Sequence, residues 1–294
     1  MRKHLFLLVV VVVLFLAGQA LSAEDFQLIY SNGEVSVKTQ SGWSGLMSGD
    51  SLAADTTVRL GPGAVAEFSS PGTTLLFSKP GSYRLQAAAS QKPQDESRVI
   101  SSVFGRIAKM GSAASRSQSQ AMGVRGDVAD GNPSITWIEE DSMSFDEARA
   151  AYDSGEFTLA IDILENEVEP IVLSDESEYW YYLSASYLGS GQKGPALQIA
   201  QQHSANQFST VYPEFLLLKG RLQLEARDYS LAAEHLKNYI YQVNTDSRKQ
   251  LGYYLYAIAL QQLGQQDNAR QALQMVLQLD ADSELTQLAR RQLN

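Results

Sequence analysis

Few residues of this chain could perform chemistry. Cysteine is absent, so the protein has neither a thiol nucleophile nor a cysteine metal ligand. Beyond His4 the histidines are His203 and His235, which are isolated from each other in sequence. The sequence also holds no glycine-rich phosphate loop, nucleophile elbow or His-Glu-x-x-His pair. We therefore predict a protein that is not an enzyme, with no catalytic residue, cofactor or metal site.

Acidic residues are the remaining candidates for catalysis. Asp162, Glu165 and Glu169 are spaced to lie on one face of a helix, and a solvated helix face accounts for them. A glycosidase that uses two carboxylates is an open alternative, because its two acids can lie far apart in sequence. Broad substrate profiling tests this alternative.

Aromatic and arginine side chains in the C-terminal half point to binding instead. Such side chains anchor protein interfaces. The predicted partner-binding residues are Arg149, Tyr152, Tyr181, Leu217, Arg221, Tyr254, Ile258 and Gln261. The alternative is that Tyr181 and Tyr254 pack between helices and contact no partner.

These residues belong to a motif that recurs through the C-terminal half. Gly155, Gly191, Arg227 and Gly264 stand at matching places, and an alanine follows five residues after each. The alanines are Ala160, Ala196, Ala232 and Ala269, at spacings of 36, 36 and 37 residues. Two-helix repeats have a period of ~34 residues. Because small side chains let helices approach closely, the pattern predicts pairs of helices stacked into an array.

The second repeat has the fullest set of signature residues. Trp180, Leu183, Tyr187, Gly191 and Ala196 stand where tetratricopeptide repeats place Trp, Leu, Tyr, Gly and Ala. Residues 141–294 thus resemble a tetratricopeptide (TPR) domain of four two-helix repeats with a C-terminal capping helix at 283–293. The repeats begin near Asp141, Ser177, Pro213 and Gln250. The resemblance implies an α-α superhelix whose first helices line a groove for protein partners.

The N-terminal half has short segments of alternating polarity, separated by Gly, Pro, Ser and Asn. Examples are residues 33–38, 58–60, 64–68, 74–77 and 82–85. Strands at such spacing predict an all-β sandwich or a small barrel. The fold class is therefore a multidomain β plus α protein.

Several motifs of this half occur in the order of a known periplasmic β-module. They are residues 33–37, Trp43 with Leu46, and residues 49–52, 58–61, 71–75, 103–107 and 121–126. Residues 27–138 resemble the FecR-like domain on these motifs, which implies a FecR-like β domain at 24–140. The chain departs from the family after Val124, Arg125 and Gly126, and residues 134–138 are the candidate for a displaced final strand. Only four residues precede the N-terminal apolar run, so the signal relay of the namesake is not carried over.

The first 23 residues have the order of a secretory signal. A basic start precedes an apolar run at residues 5–17 and small residues at Gly18, Ala20, Ser22 and Ala23. We predict a signal peptide at 1–23 with cleavage after Ala23, or after Ala20 as second choice. The alternative of an uncleaved anchor needs a run of ~20 apolar residues. The mature protein is then exported, periplasmic or envelope-associated, and has no stable transmembrane anchor.

The charge distribution indicates which classes of partner the protein can bind. Residues 141–294 carry 11 basic and 21 acidic side chains, while residues 24–140 carry 10 and 12. Without a basic stripe, nucleic acid is not an expected partner. We predict an exported adaptor or scaffold for other proteins of the cell envelope. The alternative function is sensing, in which the β domain binds a small ligand or a cell-wall glycan and the array reports it.

Overall fold

The computed structural model describes residues 25–90 and 133–293. Within these ranges the chain divides into two compact units, residues 25–75 with 80–90 and residues 76–79 with 133–293. The signal sequence and the FecR-like motifs at 103–107 and 121–126 lie outside the described residues. They stay predictions, as do the domain boundaries.

Eight short strands form in the N-terminal half. They are β1 (Phe26–Asn32), β2 (Val35–Thr39), β3 (Gly42–Gly45), β4 (Ser51–Leu52), β5 (Thr57–Leu60), β6 (Val65–Ser70), β7 (Thr73–Phe77) and β8 (Gly81–Arg84). They form two four-stranded sheets, in the orders β4-β1-β6-β7 and β3-β2-β5-β8. All five predicted strands are present, and β1, β3 and β4 are additional. The described strands therefore form two separate sheets and not one continuous sheet.

Alternating burial along the chain is clearest in the short strand β5. In β5, Val58 and Leu60 are buried while Thr57 and Arg59 are half-exposed. The turn between β1 and β2 requires glycine for two reasons. Gly33 has a φ of 80°, and a Cβ there would lie 2.9 Å from the Cα of Ala64. Local alternation and turn chemistry therefore build the sheets together.

Two predicted strand segments differ from the structure, one at its last residue and one throughout. The strand predicted at 82–85 ends at Arg84, and α1 (Leu85–Ser90) follows. The strand suggested at 134–138 is wrong, because these residues lie in α2 (Pro133–Ser154). Proline is favoured at the first position of a helix, since its fixed φ suits the helix and its missing N–H has no intrahelical role there. No further glycine or proline interrupts the segment before its end.

The C-terminal half consists of helices that pack in sequential pairs. After α2 come α3 (Phe157–Glu167), α4 (Glu176–Gly189), α5 (Lys193–Gln202), α6 (Tyr212–Glu225), α7 (Tyr229–Gln242), α8 (Asp246–Gln262), α9 (Gln266–Leu279) and α10 (Glu284–Leu293). A short 3-10 turn, Pro170–Val172, precedes α4. The second, third and fourth repeats begin near the predicted residues, whereas the first helix begins at Pro133. No helix in the described ranges is both long and apolar enough to cross a membrane.

The four turn residues predicted from spacing share one backbone conformation. The φ angles are 82° at Gly155, 87° at Gly191, 59° at Arg227 and 74° at Gly264. Each turn also makes the same two backbone hydrogen bonds. In the first, the N–H of Gly155 donates to Tyr152 O and that of the next residue donates to Ala151 O, both at 2.9 Å. This pair of bonds is the Schellman motif, which ends a helix at a left-handed residue.

The small residues predicted from spacing are buried within the helical array. Ala160, Ala196 and Ala232 are fully buried, and Ala269 is 1% exposed. Gly220 in α6 is more constrained, because a Cβ there would lie 2.6 Å from Leu236 Cγ in α7. The close approach of α6 and α7 at this point therefore depends on a residue without a side chain.

The last helix has a polar outer face and a buried inner face. Gln287, Arg290 and Arg291 are exposed, while Thr286 and Ala289 are fully buried. A polar outer surface on the terminal helix is what an array needs to end in water.

Candidate functional site

The first helices of three repeats bring four of the predicted binding residues together. The rings of Tyr152 in α2 and Tyr181 in α4 are 6.5 Å apart between centroids. Arg221 in α6 interacts electrostatically with Tyr152, and Arg149 lies one helical turn before Tyr152. All four side chains are half-buried, so each keeps accessible surface. These four side chains therefore lie near one another, and their role in binding stays a prediction.

Tyr182 completes this surface and was missed from the sequence. Its ring centroid lies 5.1 Å from that of Tyr181 and 5.3 Å from that of Tyr152. The Arg149 guanidinium carbon lies 5.6 Å from the same ring, within the range of a cation–π contact. The aromatic run Trp180-Tyr181-Tyr182 was the available signal. Below, the tyrosine–arginine cluster means Arg149, Tyr152, Tyr181, Tyr182 and Arg221.

The tyrosines of the cluster are neutral, and burial makes their ionisation still less favourable. It raises the pKa of Tyr181 well above its ordinary value and raises the pKa of Tyr152 and Tyr182 as well. The side chains of Tyr152 and Tyr181 also share a hydrogen bond, which raises the pKa of Tyr181 and lowers that of Tyr152 as a smaller effect than burial. The cluster therefore offers neutral hydroxyls and flat apolar rings.

Carboxylates on the same helices orient the two guanidinium groups. Arg221 Nε lies 3.4 Å from Glu225 Oε1, and Lys193 forms a second ion pair with Glu225. Burial lowers the pKa of Arg221, and Glu225 opposes that effect. Arg149 forms a 3.6 Å ion pair with the exposed carboxylate of Asp146. Such paired arginines are held in place before any partner arrives.

Two predicted binding residues prove to be core residues. Tyr254 is 1% exposed and Ile258 is 2% exposed, so neither can contact a partner directly. The cause is α10, whose Gln292 Nε2 donates to the Tyr254 hydroxyl at 3.2 Å. Gln261 Nε2 donates to Gln292 Oε1 at 3.3 Å. Helix α10 thus covers the part of the surface that the last repeat was expected to supply.

The remaining predicted binding residues differ in whether they pack in the core or stay accessible. Leu217 is half-buried and packs against the core of the last two repeats. Packing is therefore the correct alternative for Tyr254, while Tyr181 combines packing with an accessible face. A partner-binding role for the accessible residues stays a prediction.

The histidines have structural surroundings. The ring of His203 stacks on Trp180 at 3.4 Å between centroids and 11° between planes. His235 Nδ1 lies 2.9 Å from both Gln223 Oε1 and Leu231 O. Burial lowers the pKa of both histidines. Among the described residues no cluster of His, Asp and Glu is arranged to hold a metal ion.

A second candidate surface lies on the β3-β2-β5-β8 sheet. The Arg59 guanidinium carbon lies 4.6 Å from the Trp43 ring centroid. Cross-strand pairing of Lys38 with Trp43, and of Thr57 with Arg84, places Lys38 and Arg84 on the same face as this pair. We call Lys38, Trp43, Arg59 and Arg84 the cationic face. Sequence reasoning had used Trp43 only as a family motif.

Comparisons with known proteins leave the family open. No protein-family model and no curated protein matches the sequence. Two solved structures of MamA resemble part of the chain. The "MamA RS-1 ArsTM double mutant" covers 53% of this chain and 82% of its own, at 15% identity and a TM-score of 0.44. A structure of MamA AMB-1 covers 52% and 89%, at 16% identity and a TM-score of 0.43. Similarities at this level decide neither fold nor function.

Proposed function

We propose that this protein is a non-enzymatic adaptor whose helical half is a tetratricopeptide array that binds other proteins. The observation that carries the proposal is the tyrosine–arginine cluster, in which accessible rings from two helices lie between two oriented arginines. Tyrosine contributes a large contact area at a small entropic cost, and arginine donates several hydrogen bonds. The repeated turns at Gly155, Gly191, Arg227 and Gly264 and the buried alanines support the tetratricopeptide assignment.

The proposed location is the periplasm or another part of the cell envelope. The basic, apolar and small-residue order of the first 23 residues supports export. The resemblance of residues 27–138 to the FecR-like domain supports the same location. Export restricts the partners to other envelope proteins.

Capture from envelope extracts tests the adaptor function. The purified protein should retain a reproducible protein partner, and Tyr182→Ala and Arg149→Glu should each lose it. Arg270→Glu is the matched control, because Arg270 is an exposed arginine on the second helix of the last repeat. Recovery of no partner, or equal recovery by all variants, would contradict the proposal.

The cationic face favours one alternative function, binding of an anionic glycan by the β domain. The protein has a formal net charge of −10, yet this face gathers three cations beside an exposed tryptophan. Aromatic rings stack on sugar faces, while lysine and arginine pair with acidic groups. Glu34, 3.5 Å from Arg59, is the acidic side chain paired with this face in the described structure.

A thermal-stability assay separates the two functions. Acidic cell-wall fragments should raise the melting temperature of the full protein if the cationic face binds them, while a neutral oligosaccharide should not. Trp43→Ala should abolish the shift, and Arg149→Glu should leave it intact. A shift that survives Trp43→Ala and Arg59→Glu would rule out this face as the site.

The absence of enzyme activity is part of the proposal. In the described residues the histidines serve packing, and Asp162, Glu165 and Glu169 are exposed on or just beyond α3. The Tyr187 hydroxyl donates to Glu165. Turnover of any substrate in broad hydrolase profiling would contradict this assignment.

A further inference from the structure

The three most exposed large apolar side chains of the described helical array occupy equivalent places in successive repeats. Ile171 is 86% exposed, Phe208 is 85% exposed and Tyr241 is 74% exposed. Isolated exposed apolar residues are common, but a row of them indicates an interaction surface. None belongs to the tyrosine–arginine cluster.

All three lie where one repeat connects to the next. Ile171 stands between α3 and α4, Phe208 between α5 and α6, and Tyr241 in the last turn of α7 before α8. In stacked helix pairs these connections follow one edge, opposite the turns within the repeats. We call residues 165–178, 201–214 and 237–249 the connection edge.

Hydrogen bonds show that successive parts of this edge are in contact. Ser177 Oγ accepts from the Asn206 N–H at 2.9 Å. Thr210 Oγ1 donates to Glu178 Oε1, also at 2.9 Å. Further along, Arg248 pairs with Glu214. The edge is therefore one continuous surface across three connections.

Charge changes sign along the edge. Residues 165–178 contain six carboxylates and no basic side chain. Residues 237–249 contain Lys237, Arg248 and Lys249 against Asp246 alone. Residues 201–214, which surround Phe208, contain a single carboxylate, Glu214. One end of the edge is thus acidic, the other is basic, and the middle is nearly neutral.

We propose that a second copy of this chain docks on the connection edge in the reverse direction, forming a two-fold dimer. Ile171 and Tyr241 each lie one connection away from Phe208. A two-fold rotation about an axis near Phe208 therefore places the Ile171 of one copy against the Tyr241 of the other. The same rotation brings each acidic end against a basic end. A surface with this pattern is complementary to itself, as a two-fold interface requires.

Other occupants fit the edge less well. An anionic membrane surface would attract the basic end but be repelled by the six carboxylates of the acidic end. A basic partner would leave the basic end facing like charge. Only a partner with the opposite gradient satisfies both ends, and a reversed copy has that gradient.

Sedimentation analysis of the purified protein tests the dimer. With one apolar residue per connection the interface is small, so we expect a monomer–dimer equilibrium between about 1 and about 200 µM. Phe208→Ser should weaken association about tenfold or more, because it removes the central apolar contact from both copies. Added salt should weaken association too.

A charge swap provides the decisive comparison. Lys237→Glu and Glu169→Lys each place like charges across the interface and should weaken the dimer. The double variant should restore it, because each exchanged residue meets the other's new charge. Leu231→Ser and Arg270→Glu are the matched controls, since both residues are exposed near the opposite edge, and neither change should affect association.

Four outcomes would overturn the proposal. They are a monomer at about 200 µM, association that Phe208→Ser leaves intact, single charge variants that associate normally, and a double variant that fails to recover. Circular dichroism checks that each variant remains helical. The result is independent of the proposed adaptor function, because Arg149→Glu should abolish partner capture and leave the dimer unchanged.

Discussion

Gln250 and Thr286 both place hydrogen-bond donors within reach of the same two carbonyl oxygens. Gln250 Nε2 in α8 lies 2.9 Å from Val276 O and 3.0 Å from Asp280 O. Thr286 Oγ1 in α10 lies 3.2 Å and 2.5 Å from those oxygens. Both carbonyls stand at the end of α9, where a helix has no internal donors for its last turn. Two buried side chains thus join the last three helices.

Removing these donors should destabilise the end of the array. Gln250→Leu leaves each carbonyl with a poorer set of donors, and we expect a loss of ~1–3 kcal/mol in the free energy of unfolding. Thr286→Val should cost less, ~1 kcal/mol, because Gln250 still serves both oxygens. The double variant should lose more than the sum, as measured by urea unfolding. Simple additivity would show that the shared carbonyls do not couple the two residues.

Substitution of a turn glycine should destabilise the protein because of backbone strain alone. A Cβ at Gly191 would meet no atom within 4 Å, so its φ of 87° is the sole obstacle to a side chain. We expect Gly191→Ala to cost ~1 kcal/mol of stability. Gly191→Asn should cost less, because asparagine tolerates the left-handed region better. Urea unfolding measures both, and equal losses would argue against strain as the cause.

Substitution of Gly220 should destabilise the protein for a different reason, which is overpacking. A Cβ at this position would lie 2.6 Å from Leu236 Cγ, so Gly220→Ala overpacks the contact between α6 and α7. We expect a loss of ~1–3 kcal/mol. In a Leu236→Ala background the same change should cost less, because the clashing atoms are gone. An unchanged cost in that background would show that helix propensity, rather than packing, controls this site.

Stability should fall as the pH drops below neutral. Burial lowers the pKa of His203 and His235 in the folded protein below their ordinary value of 6.5. The unfolded chain therefore binds protons at a higher pH than the folded protein does. The contribution of both histidines to stability is complete above pH 6.5 and is lost as the pH falls through their lowered pKa values.

Histidine variants test the origin of this dependence. His203→Gln and His235→Gln should each flatten the change in unfolding free energy between about pH 7 and about pH 5, the range in which histidine titrates. The double variant should be flatter still. A slope that stays unchanged in both single variants would assign the pH dependence to other groups.

The sequence determined the repeat and its turns because these depend on local requirements. A left-handed residue ends the first helix of each pair, and glycine adopts that conformation without strain. Arg227 shows the strength of the requirement, since a non-glycine residue takes a φ of 59° to preserve the turn. The same local reasoning recovered five strands from alternation. The resemblance to a β-module was misleading at residues 134–138, where it suggested a displaced final strand but the segment is part of α2.

Tertiary structure alone decided which of the predicted binding residues remain accessible. Tyr254 and Ile258 occupy the helical positions expected of a binding surface, yet α10 covers them. Tyr182 joins the tyrosine–arginine cluster because α2 and α4 pack together and bring its ring against Tyr152. Spacing along one helix assigns a face, but the exposure of that face depends on what the rest of the chain packs against it.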